Sequence, residues 1–107
     1  MRKIESEMNA AIKGKINFAK ANTGVSYDET NNESNVYLHG NHIATVGPNF
    51  LTIFDGGWQS VTTKSRLNAL INEFCDAFTC GVSQKNFTWF VHDRGTTTQF
   101  VNGYTFQ

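Results

Sequence analysis

The sequence predicts a single α+β domain in which two helices pack on one face of a mainly antiparallel sheet. Two stretches have helical spacing of apolar residues, and several short apolar runs are bounded by turn residues. No internal repeat or low-complexity tract interrupts them. The 107 residues suit one domain, and the 13% aromatic content supplies apolar surface for a packed core. The predicted order over residues 1–107 is α-β-β-β-α-β-β.

Residues 1–21 are expected to form an amphipathic helix. Apolar side chains recur there at near-helical spacing, and most of the lysines lie off that stripe. Gly14 weakens the pattern without ending it. The polar residues 22–35 predict a connector, with a short edge strand around Val25–Asp28.

Residues 36–54 predict a three-stranded β-meander. Val36–His39 and His42–Val46 flank Gly40-Asn41, which is a two-residue turn of the kind that primed β-turns favour. A second turn, which contains the only proline, leads to a third strand at Phe50–Phe54.

Residues 62–80 predict the second helix. Apolar residues within 67–78 recur at helical spacing, and Gly81 suits the position just after a helix end. On such a helix Cys75 and Cys80 would lie too far apart for a disulfide. The sequence therefore predicts free thiols and a reducing compartment.

Residues 86–106 predict the C-terminal strands, Phe87–His92 and Thr97–Val101, with a possible continuation to residue 106. The first of these carries Trp89 on one face and Phe90 on the other. A small monomer has little with which to cover both faces, so a homo-oligomer is expected.

The start of the second helix carries the one local conflict of charge. Lys64 and Arg66 stand in its first turn, where the helix dipole disfavours cations. This predicts an anion-binding or nucleic-acid-binding surface, and an ordinary capped helix with solvated cations is the alternative. The candidate residues are Thr63, Lys64, Ser65, Arg66, Lys13, Lys15 and Lys20.

Two aromatic residues and two histidines are further candidates. Trp58 either closes the core between sheet and helix or stands exposed as a stacking platform, and Trp89 is expected to be interior or interfacial. Both are stacking or interface candidates. His39 and His42 are expected to face each other across the hairpin, where they could share a metal. Solvated turn histidines are the alternative, because the pattern fixes no third ligand, and no metal or other cofactor is expected.

Several functional classes lack their signatures in this sequence. There is no nucleophile elbow, no phosphate-binding loop and no dinucleotide fingerprint, so a non-enzymatic protein without catalytic residues is expected. No apolar run has the length of a membrane span, and the N-terminus lacks the apolar core of a signal peptide. Nine cationic and nine acidic residues give zero net charge, which favours a protein partner over nucleic acid.

Three stretches, residues 36–46, 57–70 and 84–91, together resemble small hypothetical proteins of tailed bacteriophages. The resemblance implies a viral gene product that acts in the cytoplasm of an infected bacterial host, and it implies no active residues. The leading expectation is a non-enzymatic accessory protein that binds a host or phage protein, in host takeover or in counteracting host defences.

The alternative expectation is a nucleic-acid or nucleotide/phosphate-binding protein that uses the basic start of the second helix. The order α-β-β-β-α is similar to that of double-stranded RNA-binding domains, whose second helix presents lysines to phosphates. This similarity is one of topology only.

Overall fold

The computed structural model describes residues 1–107 and confirms the α+β class, with two helices and nine strands. The helices are α1 (Lys3–Gly14) and α2 (Val61–Phe74). The strands are β1 (Phe18–Lys20), β2 (Thr23–Asp28), β3 (Glu33–Leu38), β4 (Asn41–Val46), β5 (Leu51–Ile53), β6 (Cys80–Lys85), β7 (Thr88–Asp93), β8 (Thr96–Gln99) and β9 (Tyr104–Phe106).

The strands form two antiparallel sheets. The large sheet has the order β1-β2-β3-β4-β5-β9, and the small sheet has the order β6-β7-β8. The chain leaves the large sheet after β5, builds α2 and the small sheet, and returns to pair β9 with β5. Five strands therefore lie between the two helices, where the sequence predicted three, and the similarity to the order of double-stranded RNA-binding domains does not hold.

Both helices pack on the same face of the large sheet. α1 contacts β1 and β2, α2 contacts β4 and β5, and the helices contact each other. β6 of the small sheet packs against α2. One cluster of 20 buried apolar residues draws on both helices and both sheets, with Met8 and Leu70 among its fully buried members.

The first helix is shorter than predicted. It ends at Gly14 because Lys15 adopts the left-handed conformation (φ 55°) and its N–H bonds back to the helix. Residues 18–20 then pair with β2 as an edge strand. The predicted polar connector is mostly strand. Two of its buried positions hold polar side chains, Thr23 in β2 and Ser34 in β3, so the sequence lacked the alternation of apolar and polar residues that indicates a strand.

The hairpin turn between β3 and β4 begins one residue earlier than predicted. His39 and Gly40 occupy it, both with positive φ (52° and 77°), as a type I′ turn requires. The pairing register also shifts within this hairpin, so that β4 carries one extra residue. Ile43 and Ala44 consequently both lie in the core, while Leu38 keeps its inward position.

The second helix ends at Phe74 and does not reach residue 80. Cys75 is extended (φ −130°), and Asp76 then organises a turn whose carboxylate accepts the N–H of Phe78 at 3.0 Å. Phe78 is 100% exposed, and Gly81 lies inside β6 and not after a helix. Both cysteines are free.

The C-terminal strands were predicted in outline, but the roles of their aromatic residues differ. Phe87 lies in a turn with positive φ (65°) and is 93% exposed. Trp89 is buried and meets Phe100 edge-on at 5.4 Å, so of the interior and interface roles expected for it the structure has the interior one. Phe90 lies on the opposite face of β7 from Trp89 and is half-buried, so this strand carries one large aromatic residue on each face.

Candidate functional site

The start of α2 is capped by its own chain. Ser60 is the N-cap residue, and its Oγ accepts the backbone N–H of Thr63 at 3.1 Å. The Thr63 hydroxyl lies 2.9 Å from the same Oγ and donates to the Trp58 carbonyl at 3.4 Å. This is the capped-helix arrangement that the sequence left open as the alternative.

Arg66 points inward and is only 3% exposed. Its Nη1 donates to Glu5 Oε2 at 2.7 Å, and its Nε donates to Thr23 Oγ1 at 3.0 Å. Nη2 donates to Asn22 Oδ1 at 3.3 Å. The anion that Arg66 requires is thus Glu5, a residue of the same protein. The prediction that Arg66 contacts an external phosphate is therefore wrong.

Glu5, from the first turn of α1, is the centre of this buried cluster and is 2% exposed. It accepts the Ser65 hydroxyl at 2.6 Å and the Arg2 backbone N–H at 3.0 Å, in addition to the guanidinium. Burial raises the pKa of Glu5, but these hydrogen bonds and the Arg66 charge outweigh it and lower the pKa overall. Glu5 is therefore ionised at neutral pH and joins the two helices.

The predicted lysines do not form one surface with the start of α2. Lys13 pairs with Glu73 at 3.3 Å, at the far end of α2 from Lys64, about 14 Å along a helix axis. Lys20 pairs with an acidic residue of α1, Glu7, at 2.9 Å. Of the lysines and the arginine in the predicted set, only Lys15 and Lys64 lack an acidic partner.

The two hairpin histidines do not face each other. His39 is a turn residue, and the pairing partner of His42 is Tyr37. His42 Nε2 lies 2.8 Å from Thr45 Oγ1, and its ring packs 4.8 Å from Phe54. The shared metal position that the sequence suggested is therefore absent, and no three His, Cys, Asp or Glu side chains gather as ligands elsewhere.

Trp58 is the most prominent exposed feature near the predicted site, with 75% of its surface accessible. It stands on a loop fixed by Asp55, whose Oδ1 accepts the N–H of Gly57 at 2.7 Å. Gly56 and Gly57 both have positive φ (70° and 87°), which favours glycine at these positions. The sequence left open whether Trp58 closes the core or stands exposed, and in the structure it stands exposed.

A groove of about 280 Å³ runs beside this tryptophan. The hairpin turn forms one side of it, through His39 and Asn41, and Asp55 is its only charged lining residue. Leu38 and Ile43, both in the core, reach its floor. The groove thus joins an aromatic platform, an apolar floor and hydrogen-bonding groups in one concave surface.

A second polar arrangement on the small sheet was not predicted. Ser83 Oγ lies 2.6 Å from His92 Nε2, and His92 Nδ1 lies 2.9 Å from Thr97 Oγ1. The Asp93 carboxylate lies outside this series of hydrogen bonds and accepts the Tyr104 hydroxyl at 2.7 Å, so no carboxylate orients the His92 imidazole. The arrangement links the three strands of the small sheet, and only their pairing register could have revealed it.

Fold and surface together define a small α+β protein with a rigid, tryptophan-bearing groove. The chain belongs to the Kyanoviridae Gp96 protein family, whose model matches residues 1–107. Kyanoviridae are tailed cyanophages, which confirms the tailed-phage resemblance of the sequence. Comparison with curated proteins and with solved structures yields no match. Neither helix has the length and apolar content that a membrane span requires.

Proposed function

We propose that this chain is a non-enzymatic phage accessory protein that binds a host protein through the groove beside Trp58. The protein would act in the cytoplasm of the infected bacterium, in host takeover or in counteracting host defences. The observation that carries the proposal is a tryptophan held outward by a rigid loop, although the fold does not need it for its core.

Tryptophan is enriched among the residues that dominate protein–protein binding energies. An exposed one leaves a large apolar surface in water, which a partner removes on binding. Val61, in the first turn of α2 only three residues further on, is also exposed and enlarges this apolar surface. The loop is already ordered by Asp55, so little conformational entropy is lost when a partner binds.

The charge of the groove indicates the chemistry of the partner. Asp55 is the only charged residue of the lining, which contains no lysine or arginine. A groove with one carboxylate and no cation disfavours phosphate and favours lysine, arginine or amide donors. A basic or amide-rich segment of a protein fits it better than a nucleic acid.

The test is affinity capture of partners from host-cell lysate with the wild-type chain and two matched variants. Trp58→Ala removes the platform, and Phe87→Ala removes a comparably exposed aromatic residue outside the groove. The captured protein is then purified, and its affinity for each variant is measured by calorimetry. We expect Trp58→Ala to weaken binding by about 30-fold or more, as for a central interface residue, and Phe87→Ala to leave it within about threefold.

Nuclease treatment and a salt series separate this proposal from the nucleic-acid alternative. A protein partner that survives nuclease and depends on Trp58 supports the groove. Nucleic acid that elutes at moderate salt, with equal retention by the wild type and Trp58→Ala, would refute it and favour Lys64 as the contact.

A further inference from the structure

The two edges of the small sheet differ in how their backbone groups are satisfied. At the β6 edge, the Asn68 side chain from α2 accepts the Val82 N–H at 2.8 Å and donates to the Val82 carbonyl at 2.9 Å. The N–H of Cys80 donates to the Asp76 carbonyl at 2.9 Å. At the other edge, β8 pairs only with β7, and all four of its residues are exposed.

The hydrogen-bonding alternation identifies which groups of β8 are free. Just beyond the strand, the Phe100 N–H donates to the Trp89 carbonyl at 2.9 Å, so the backbone N–H and C=O groups of Phe100 point towards β7. In an antiparallel pair the direction of the backbone groups alternates from residue to residue. Thr96 and Thr98 therefore also bond towards β7, whereas Thr97 and Gln99 direct their N–H and C=O groups away from the sheet.

We propose that β8 is a self-association edge that pairs antiparallel with β8 of a second copy. The free groups fix the register: Thr97 of each copy lies opposite Gln99 of the other, and Thr98 meets Thr98 at the two-fold axis. This register forms four backbone hydrogen bonds and leaves Thr98 as a pair that is not hydrogen-bonded.

A second copy is the occupant because the free groups complement themselves in this register. β8 consists of three threonines and a glutamine, and it contains none of the lysines, prolines or inward charges that usually protect an edge strand. The chain has zero net charge, so two copies do not repel each other over long range. A four-residue strand buries less than the roughly 1,200 Å² of a standard interface, so the dimer dissociates on dilution.

Cysteine trapping tests both the pairing and its register. Directly opposite residues that are not hydrogen-bonded have Cα atoms about 4.5 Å apart, within disulfide range. Thr98→Cys should therefore form a disulfide-linked dimer under mild oxidation. Thr96→Cys is the matched control, because it lies on the same face and is equally exposed, but its symmetry mate is roughly 14 Å away.

Light scattering on a concentration series supplies a second, independent readout. The wild-type mass should rise from 12.0 kDa towards twice that value. Gln99→Pro removes an outward N–H without touching the ladder to β7, and should stay monomeric, whereas Gln99→Ala should behave as wild type. Equal trapping of Thr96→Cys and Thr98→Cys, or no trapping of Thr98→Cys at about 1 mM protein, a concentration that populates even very weak complexes, would overturn the proposal.

Discussion

Replacing Glu5 with glutamine should cost this protein a large part of its stability. The carboxylate is buried, 2.7 Å from the Arg66 guanidinium, and also accepts bonds from Ser65 and Arg2. Removing one member of a buried ion pair costs about 3–5 kcal/mol, because the other charge stays buried without its partner. Glutamine keeps one acceptor oxygen for Arg66, so the expected loss for Glu5→Gln is near the lower end, about 3 kcal/mol.

Thermal unfolding followed by circular dichroism measures this loss directly. For a domain of this size, 1 kcal/mol corresponds to roughly 4–8 °C, so Glu5→Gln should lower the Tm by more than about 10 °C. Glu73→Gln is the matched control, because it removes a carboxylate from the exposed pair with Lys13 and should cost about 0.5 kcal/mol. A Glu5→Gln shift no larger than that of Glu73→Gln would refute the assigned role of the buried pair.

The pH dependence follows from the lowered pKa of Glu5. A lowered pKa contributes stability that is fully present above the ordinary glutamic acid value, about 4.3, and is lost as the pH falls through the folded-state pKa. The stability difference between wild type and Glu5→Gln should therefore be constant near neutral pH and shrink in acid. A difference that grows on acidification would contradict the sign of the shift.

Three further predictions concern other contacts. Asn68→Leu leaves the Val82 N–H and carbonyl without partners and should cost about 2 kcal/mol in urea unfolding; a loss below 0.5 kcal/mol, about the size of a surface change, would contradict it. The hydrogen bond to Asp93 raises the pKa of Tyr104 to about 12, so wild type should lose stability between about pH 10 and 12, and Tyr104→Phe should lose less stability over the same range. Burial raises the pKa of the Cys75 thiol to about 11, so a thiol reagent at pH 8 should label it slowly in the folded protein and rapidly in urea.

Local patterns in the sequence were sufficient to predict the fold class and most of the elements. Helical spacing located α1 and α2, and alternation with a glycine turn located the hairpin of β3 and β4. Their ends were less accurate, because each end depends on one backbone conformation, such as the left-handed Lys15 after α1. β6 was missed because its partners, Asn68 and β7, are defined only by the folded arrangement.

The candidate site shows the same division between local and distant information. The charge conflict at Lys64 and Arg66 was visible in the sequence, but its solution, Glu5, lies 61 residues away on another helix. A sequence pattern reports that a cation needs a partner and cannot report where that partner is. Trp58 was identified by its position after a glycine pair, and only the structure decided between its two possible roles.

The asymmetry of the small sheet also limits how far its strands can extend from one molecule to the next. A fibre requires every unit to offer two open edges, one for each neighbour. Asn68 occupies the β6 edge at Val82 as a single residue of an additional strand would, so this edge is blocked near its centre, whereas β8 is open along its length. A further strand cannot pair along the whole of β6 while α2 stays folded, and pairing at β8 is therefore not relayed across the full width of this sheet.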